Sequence, residues 1–471
     1  MRTPRPRLCP IEAGECPFGI ERYRSRAGSV NVIAEARGSY DCVELTATLR
    51  TDRARKTILL EPGRLGPVET RNRIVRAGTS ESAAGPGGEV TDTLVALHEQ
   101  LARGGVGLII TGHMFCHPRG RYEYKQTGIH DDALLPGLRR LTGAVHQHGG
   151  RIFAQVAHAG SQSIVAANEP LAPSPVPNVM TGRPVREATA EEIEEAIAAF
   201  ASAARRAADA GFDGVHIHGA NGYLISEFRS PLTNRRTDAW GGSQERRDAF
   251  ALEVVRAARA VLPPHMGLSM KVGLEDIVDE PGGLAGEEAV AGVRRLVAAG
   301  LDAVEVSSNL MADYERASVV PYVAVDTYRA LGDLLPHRLL KRPEPEAYFL
   351  PFARRARTAS DAKVILVGGL RRTQTMEDIL ERGDADFVAM ARPLIREPAL
   401  VRRLEAGWRG RVDCVSCNIC LMHEGHHSLR CWRVPRRRLL QHATYRLAGN
   451  FRGGLWPAGQ ESGTSNGKES R

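Results

Sequence analysis

The sequence predicts an α/β fold of the (β/α)8 TIM barrel type, followed by a cysteine-rich C-terminal extension. Short apolar runs alternate with amphipathic segments eight times between residues 58 and 408. Such alternation indicates an all-parallel sheet, and eight units indicate a closed barrel. A doubly wound open sheet is the alternative, but no G-x-G-x-x-G motif follows the first strand. The 471 residues exceed what one barrel needs, which favours one large domain with extensions.

The eight predicted strands are short runs of apolar residues bounded by glycine or polar residues. They lie at 73–78, 106–112, 151–160, the run that contains His218, 267–272, 302–307, 363–369 and 385–391. The predicted helices lie at 91–105, 134–150, 189–211, 243–262, 286–300, 345–359, 373–383 and 397–406. Thr189 and Glu192 form a capping box, Ser243 can cap the next helix, and Gly104 can end the first. Residues 310–350 are irregular, and we expect a loop over the barrel mouth.

The segment 215–243 carries the side chains most suited to catalysis. Its strand continues into a glycine-rich turn that holds His218, Asn221 and Tyr223. Imidazole and carboxamide can both donate hydrogen bonds to one oxygen, and a phenol can donate a proton. The carboxyl ends of barrel strands are where this fold carries out its chemistry. We therefore predict that these three residues are catalytic, the alternative being a core histidine beside a turn asparagine.

The last two strand-to-helix turns predict a phosphate site. Gly368 and Gly369 follow the seventh strand, and Ala391 and Arg392 follow the eighth. In barrels of this kind these two turns often bind phosphate. Glycine lets backbone N–H groups approach a phosphate closely, and arginine can bind it with two hydrogen bonds.

The segment 215–243 resembles the signature of the old yellow enzyme family of flavin oxidoreductases. That signature combines His-x-x-Asn, Gly-Tyr-Leu, Ser-Pro, Asn-x-Arg, Asp and Gly-Gly-Ser. The matching residues are His218, Asn221, Gly222, Tyr223, Leu224, Ser230, Pro231, Asn234, Arg236, Asp238, Gly241, Gly242 and Ser243. The resemblance extends over roughly residues 58–431 and implies an FMN-binding barrel at 58–408.

The resemblance also implies which residues contact the flavin. Gln155 aligns with a glutamine that binds the ring, and Lys271 stands where the family often has an arginine. Ala77, Gly78 and Thr79 match the segment that packs under the ring. The two phosphate turns would bind the FMN phosphate, although alanine occupies one place where glycine is common. Polar strand ends that face solvent are the alternative for the glutamine and the lysine.

Four of the eight cysteines cluster near the C-terminus. Cys414, Cys417, Cys420 and Cys431 have the spacing C-x2-C-x2-C-x10-C. This spacing suits a [4Fe–4S] cluster, and structural zinc is the alternative. The segment 409–432 resembles the cluster-binding segment of the subgroup that contains 2,4-dienoyl-CoA reductase and trimethylamine dehydrogenase. Because only forty residues follow Cys431, too few for that subgroup's second nucleotide-binding domain, we expect that a separate protein can donate electrons.

Composition and charge are those of a soluble enzyme, with 42% hydrophobic and 25% charged residues. We find neither a membrane-length apolar run nor a secretory signal, so we expect a cytoplasmic protein without a membrane partner. The net charge is +8 at pH 7, but no nucleic-acid motif accompanies it. Residues 1–57 should form an N-terminal extension with weak strand character at 29–36, and 433–471 a basic tail of disordered composition.

These features predict an oxidoreductase that contains FMN and [4Fe–4S] and reduces the C=C bond of an enone, enoate or dienoyl substrate. NAD(P)H would be the reductant. The resemblance implies hydride transfer from FMN N5, a carbonyl oxygen held by His218 and Asn221, and a proton from Tyr223. Oxidative amine dehydrogenation or an electron-transfer subunit are the alternatives. His-x-x-Asn favours a carbonyl over a cationic amine, and a relay needs no proton donor. The sequence leaves the oligomeric state open, and a homo-oligomer is compatible with it.

Overall fold

The structure, a computed structural model, describes residues 24–25, 28–29, 57–178, 182–278, 280–310, 346–417 and 419–447. The chain divides into two compact units, Met1–Arg55 and Lys56–Arg471. In the first unit, the short strands Arg24–Ser25 and Gly28–Ser29 pair antiparallel. The strand character expected at 29–36 lies, apart from Ser29, outside the described residues.

Eight parallel strands close into a barrel in the second unit. They are β1 Ile74–Arg76, β2 Leu108–Ile110, β3 Arg151–Ala157, β4 Gly214–Gly219, β5 Gly267–Gly273, β6 Ala303–Ser307, β7 Lys363–Val367 and β8 Phe387–Met390. Each strand pairs with the next, and β8 pairs with β1, so the ring of hydrogen bonds is complete. The predicted (β/α)8 barrel is therefore confirmed, with strands somewhat shorter than the apolar runs.

Eight helices follow the strands. They are α1 Asp92–Arg103, α2 Leu135–His146, α3 Ala190–Asp209, α4 Gln244–Val261, α5 Gly286–Ala298, α6 Leu350–Ala359, α7 Thr373–Glu381 and α8 Leu400–Glu405. The capping box of Thr189 and Glu192 begins α3, and the Ser243 side chain caps α4. Gly104 is the C-cap of α1. Capping uses hydrogen bonds within a few residues, which explains why these helix ends were predictable from sequence.

Shorter elements complete the barrel. A hairpin of Gly63–Leu65 and Val68–Thr70 precedes β1, and its side chains pack with Phe153 and Phe387 at the amino-terminal end of the barrel. The strand Met114–Phe115 extends the sheet beside β3, and Leu171–Ala172 pairs with Arg186–Glu187. The remaining described helices are Ile58–Leu60, Pro118–Gly120, Asp132–Leu134, Gly160–Gln162, Leu224–Arg229, Arg392–Arg396, Ile419–Met422 and Arg437–Leu447. None of the described helices has the length and apolar content that crossing a membrane requires.

The chain after α8 packs on the loops that follow β1 and β2. The backbone N–H of Leu429 donates to the Glu81 carbonyl at 2.8 Å, and Lys125 Nζ donates to the His426 carbonyl at 2.8 Å. Helix Arg437–Leu447 lies in the stretch that we expected to be disordered, so that expectation is wrong for these residues. Its buried His442 lies 2.9 Å from His423, a tertiary contact that composition does not reveal. The loop expected at 310–350 falls largely outside the described residues.

A buried ion pair fixes the segment that follows β4. Arg229 is fully buried, and its Nε donates to Asp248 of α4 at 3.0 Å. Its Nη1 donates to the carbonyl of Gly273 at the end of β5, at 2.8 Å. Asp248 also contacts Arg295 of α5 at 2.5 Å. One carboxylate therefore joins the β4 turn to two helices, and its loss would leave a buried charge without its partner.

We expect Asp248→Ala to lower the free energy of unfolding by about 3–5 kcal/mol, because Arg229 would remain buried without its counter-ion. Urea denaturation followed by tryptophan fluorescence measures the change. Asp132→Ala is the matched control, since Asp132 also contacts two arginines but is 60% exposed. The control should lose far less stability, because solvent screens exposed pairs. Equal losses in the two variants would contradict the role given to the buried pair.

Candidate active site

His218 and Tyr223 lie in contact at the carboxyl end of β4. Both side chains are buried, and their ring centroids are 4.3 Å apart. Burial, reinforced by the nearby His113 and Lys271, lowers the pKa of His218 well below its ordinary value. The imidazole is therefore neutral at pH 7 and can act as a hydrogen-bonding group without carrying a charge.

Asn221 is held by the end of β6. Its Oδ1 accepts hydrogen bonds from the hydroxyls of Ser307 at 2.8 Å and Ser308 at 3.3 Å. Its φ is 61°, a left-handed conformation that asparagine tolerates better than most residues. The backbone carbonyl of Asn221 accepts from Gln162 at 2.7 Å. With Oδ1 engaged in this way, the amide can present only its Nδ2 donor to a ligand.

His113 is a site residue that sequence reasoning missed. It follows β2 and is only 8% exposed, and its Nε2 lies 3.2 Å from the hydroxyl of Tyr223. Its ring centroid is 6.2 Å from that of His218. Burial lowers the pKa of His113 to about 4, so this imidazole is also neutral. The rule that singled out His218, a polar side chain at the carboxyl end of a strand, would also have identified it.

Lys271 of β5 forms a buried ion pair with Glu305 of β6. Its Nζ donates to Glu305 Oε1 at 2.5 Å, and His216 lies 3.1 Å from the other carboxylate oxygen. Burial acts to raise the pKa of Glu305, but the Lys271 charge and His216 outweigh it and lower the value to about 2. The carboxylate is thus ionised, and it neutralises part of the charge that we expected Lys271 to present to a flavin. Glu305 was not identified from the sequence, although an acidic residue inside an apolar strand indicates a buried charged partner.

Gln155 of β3 and Gly78, which follows β1, lie against each other. A Cβ atom on Gly78 would lie 2.5 Å from Gln155 Nε2, so a side chain at this position would displace the amide. Gln155 is buried, and its Nε2 has no hydrogen-bond partner among the described residues. Buried donors are normally paired, so this nitrogen is available to a water molecule or to a polar ligand atom. Ala77 and Thr79 flank this glycine, and the Thr79 hydroxyl accepts from Arg76 at 3.0 Å.

The two predicted phosphate turns lie at the carboxyl ends of β7 and β8. Gly368 and Gly369 have φ values of 120° and 70°, which side chains rarely adopt. Ala391 is the N-cap of helix Arg392–Arg396. Burial raises the pKa of Tyr348, and the charge of Arg392 opposes this, which places the guanidinium near the phenol. Tyr348 also lies against Gly368, since a Cβ on that glycine would lie 2.8 Å from the Tyr348 ring, so Tyr348 is close to both Gly368 and Arg392.

The four clustered cysteines line one cavity together with Arg392 and Arg396. Burial raises the pKa of the Cys420 thiol to about 12, and the other three thiols contribute to this shift. Among the described residues, however, no group of three or more His, Cys, Asp or Glu side chains has the arrangement of a metal site. The structure thus gathers the cysteines around one space without showing a ligand geometry, and the cluster stays a prediction.

The rest of the 215–243 signature shapes the loop after β4. The Ser230 hydroxyl donates to Asp276 at 2.6 Å. Asn234 Nδ2 donates to the carbonyls of Phe228 and Trp240, each at 2.7 Å. Arg236 donates to the Asp238 carboxylate at 2.5 Å and to the carbonyl of Ala188 at 2.7 Å. The hydrogen bonds of these signature residues therefore fix the conformation of the loop that follows the site residues of β4.

Known proteins with similar sequences identify the family of this chain. The model of the NADH:flavin oxidoreductase / NADH oxidase family matches residues 58–410. The chain belongs to this family. It is 37% identical over 376 residues to the 4,4'-dithiodibutanoate disulfide reductase of Rhodococcus erythropolis, covering 77% of this chain and 92% of that protein. It is 36% identical over 367 residues to the NADH oxidase of Thermoanaerobacter brockii, covering 77% of this chain and 53% of that protein.

Solved structures give the same picture. The 2-naphthoyl-CoA reductase complexed with 2-naphthoyl-CoA is 26% identical, with a TM-score of 0.70, over 81% of this chain and 57% of that one. The old yellow enzyme homologue from Zymomonas mobilis is 25% identical, with a TM-score of 0.59, over 76% of this chain and 95% of that one. The chain thus spans about half the length of its larger relatives. The predicted family resemblance and the assignment as an oxidoreductase are confirmed.

Family membership supports FMN as the cofactor and NADH or NADPH as the reductant. The residues present fit this cofactor. The Nε2 of Gln155, which has no hydrogen-bond partner in the described part of the chain, can donate to a flavin ring atom, and the missing side chain at Gly78 leaves room beside it. The positive-φ glycines after β7 and the nearby Arg392 suit a phosphate.

We expect Gly78→Ala to purify with much less FMN, because its Cβ would push into the Gln155 amide. Absorbance at the flavin maximum, divided by protein concentration, measures retention. Gly143→Ala is the matched control, since a Cβ at Gly143 in α2 meets nothing within 4 Å. Full retention of FMN by Gly78→Ala would show that Gln155 and Gly78 do not adjoin the cofactor.

Proposed function

We propose that the protein reduces the activated C=C bond of an enone, enoate or dienoyl compound. When bound, FMN supplies the hydride, and NADH or NADPH would supply the electrons that reduce the flavin again. The observation that carries the proposal is the contact of neutral His218 with Tyr223 at the carboxyl end of β4, beside Asn221. Two hydrogen-bond donors next to a phenol are the groups that polarising a carbonyl and protonating its α-carbon require.

His218 and Asn221 would hold the substrate carbonyl oxygen. His218 Nδ1 is buried and has no hydrogen-bond partner among the described residues. The Asn221 amide is oriented by Ser307, the last residue of β6, and by Ser308, so its Nδ2 is the group left to donate to a ligand. Fixed donors in a buried site stabilise the negative charge that develops on the oxygen, because they need no reorganisation during the reaction.

The polarity of the site favours a carbonyl substrate over a cationic amine. Asn221 carries no charge, and burial keeps His218 and His113 neutral, so none of these groups would pair with an ammonium ion. The chain is 30% identical to an N,N-dimethylglycine/sarcosine dehydrogenase of Chromohalobacter salexigens, so amines belong in a substrate panel as the alternative. The identity to a disulfide reductase adds organic disulfides to the same panel.

We expect Tyr223→Phe to slow reoxidation of the reduced protein by an enone about 10²–10⁴-fold, the usual contribution of a general acid. Reduction by NAD(P)H should stay nearly unchanged, because it needs no proton from this phenol. Anaerobic stopped-flow measurement of the two half-reactions, with 2-cyclohexenone as the probe, separates them. Tyr124→Phe is the matched control, since Tyr124 is 50% exposed.

Two outcomes would contradict the proposed chemistry. Reoxidation of Tyr223→Phe at the parent rate would remove the tyrosine from the reaction. Turnover of amines or disulfides but of no unsaturated carbonyl compound would assign the protein to a different substrate class. Chromatography of the released cofactor checks the flavin itself, since FAD or no flavin would overturn the assignment.

We also propose that Cys414, Cys417, Cys420 and Cys431 hold a [4Fe–4S] cluster. Their spacing and their common cavity support this, and structural zinc is the alternative. Such a cluster supplies one-electron transfer, which suits a separate protein as electron donor. Cluster binding requires thiolates, so it would have to overcome the burial that raises the pKa values of Cys417 and Cys420.

We expect the protein purified without oxygen to contain iron and acid-labile sulfide, and Cys417→Ala to lose both while retaining FMN. Colorimetric iron and sulfide assays, with zinc measured in parallel, test this. Cys116→Ala is the matched control, because Cys116 is a buried free thiol outside the cavity. The donor route is tested with reduced methyl viologen, which should no longer reduce FMN in Cys417→Ala while NAD(P)H still does. Zinc without sulfide in the parent protein would overturn the cluster proposal.

A further inference from the structure

The Tyr223 hydroxyl is the last member of a series of hydrogen bonds that runs through Gln126 and His113. The backbone N–H of Tyr122 donates to Gln126 Oε1 at 2.6 Å. Gln126 Nε2 lies 2.7 Å from His113 Nδ1 and 3.0 Å from the His113 carbonyl oxygen. His113 Nε2 lies 3.2 Å from the Tyr223 hydroxyl oxygen. Gln126 and His113 are both buried, so these contacts are made out of water.

Two backbone groups fix the orientation of the Gln126 amide. The Tyr122 N–H can only donate, so the amide atom that faces it must be the oxygen. The His113 carbonyl can only accept, so the amide atom that faces it must be the nitrogen. A flipped amide would set donor against donor and acceptor against acceptor, which costs free energy in a buried site. Gln126 therefore presents an N–H group to His113 Nδ1.

This amide orientation determines which nitrogen of His113 carries the proton. Burial keeps the imidazole neutral, so only one of its nitrogens is protonated. Because Gln126 donates to Nδ1, that nitrogen is the acceptor and Nε2 carries the hydrogen. The contact of 3.2 Å is therefore a hydrogen bond from His113 Nε2–H to the Tyr223 oxygen. The phenol O–H bond then points away from His113.

A hydrogen-bond donor at the phenol oxygen stabilises the phenolate that forms when Tyr223 loses its proton. During reduction of the C=C bond, the phenol O–H bond breaks, a C–H bond forms at the α-carbon, and negative charge remains on the oxygen. Tyr223 forms one buried cluster with Tyr122, Ala157 and Ala159, so its side chain is largely shielded from bulk water that could stabilise the charge. The His113 N–H supplies this stabilisation and keeps its own proton, and water later reprotonates the phenolate.

We propose that Gln126 and His113 are positioning residues that orient the Tyr223 hydroxyl as a proton donor and stabilise its phenolate. Gln126 acts only through the tautomer of His113, and His113 acts only through the phenol oxygen. This inference rests on the proposed role of Tyr223 as the proton donor. The alternative is a purely structural role, in which the hydrogen bonds of Gln126 and His113 only hold the loop after β2 in place.

The tautomer can be measured directly. In the FMN-loaded protein labelled with ¹⁵N-histidine, the His113 signals are assigned by their loss in His113→Gln. We expect the hydrogen on Nε2 in the parent protein, and Gln126→Met should weaken or reverse this preference. A hydrogen on Nδ1 in the parent protein would overturn the proposal, whatever the activity of the variants.

Kinetics provide the second test. We expect Gln126→Met to slow reoxidation by 2-cyclohexenone about 10- to 100-fold, less than the about 10²–10⁴-fold that the general acid itself contributes, and to leave reduction by NAD(P)H unchanged. The alkaline limb of the reoxidation rate should move to higher pH, because the phenolate loses its donor. Thr142→Val is the matched control, since Thr142 is equally buried and its hydroxyl donates to the carbonyl of Ala210 at the end of α3. The control should leave both rates unchanged.

A double mutant separates failure of this inference from failure of the proposed function. If Tyr223 is the acid and Gln126 acts through it, Gln126→Met should add nothing to the effect of Tyr223→Phe. A slow Tyr223→Phe with a parent-like Gln126→Met, or additive losses in the double mutant, would overturn the positioning role alone. Parent-like reoxidation in Tyr223→Phe would overturn the proposed function itself. FMN content and thermal denaturation confirm that each variant is folded.

Discussion

Closure of eight parallel strands is the constraint on which the rest of the molecule depends. With β8 paired to β1 and β3 paired to β4, the strands leave no gap in the ring, and their carboxyl ends meet at one rim. Register then decides which side chains become neighbours. His218 lies beside Lys271, and Lys271 beside Glu305, in consecutive strand pairs. Groups far apart in the chain are thus held at hydrogen-bond distance without any local sequence that pairs them.

Burial then sets the chemistry of the groups that the barrel gathers. It acts in one direction on every ionisable side chain, since it disfavours the charged form. His113 and His218 have no carboxylate partner among the described residues and become neutral donors and acceptors. Glu305 stays ionised because Lys271 lies 2.5 Å away. Desolvation therefore leaves the two histidines neutral, while Glu305 and Lys271 in the neighbouring strands remain an ion pair. The outcomes differ because Glu305 has a partner of opposite charge.

The sequence signature after β4 combines two kinds of residue. His218, Asn221 and Tyr223 lie together at the carboxyl end of β4, whereas Asn234, Arg236 and Asp238 bond to backbone carbonyls or to one another. The motif is therefore specific for a family because it encodes a loop shape together with a set of reactive groups. Arg229 and Asp248 support that loop from beneath, and neither would be singled out by a search for reactive side chains.

By itself the sequence determined the barrel, its helix caps, the catalytic candidates on β4 and the family. These depend on apolar periodicity and on hydrogen bonds between near neighbours, both of which are visible along the chain. Only the tertiary structure showed His113 beside Tyr223, 110 positions away, and the amide of Asn221 held by Ser307, 86 positions away. It also folded Arg437–Leu447 into a helix where composition indicated disorder. Such contacts depend on strand register and on packing across the barrel, and residues that meet in this way leave no pattern in the spacing of the sequence.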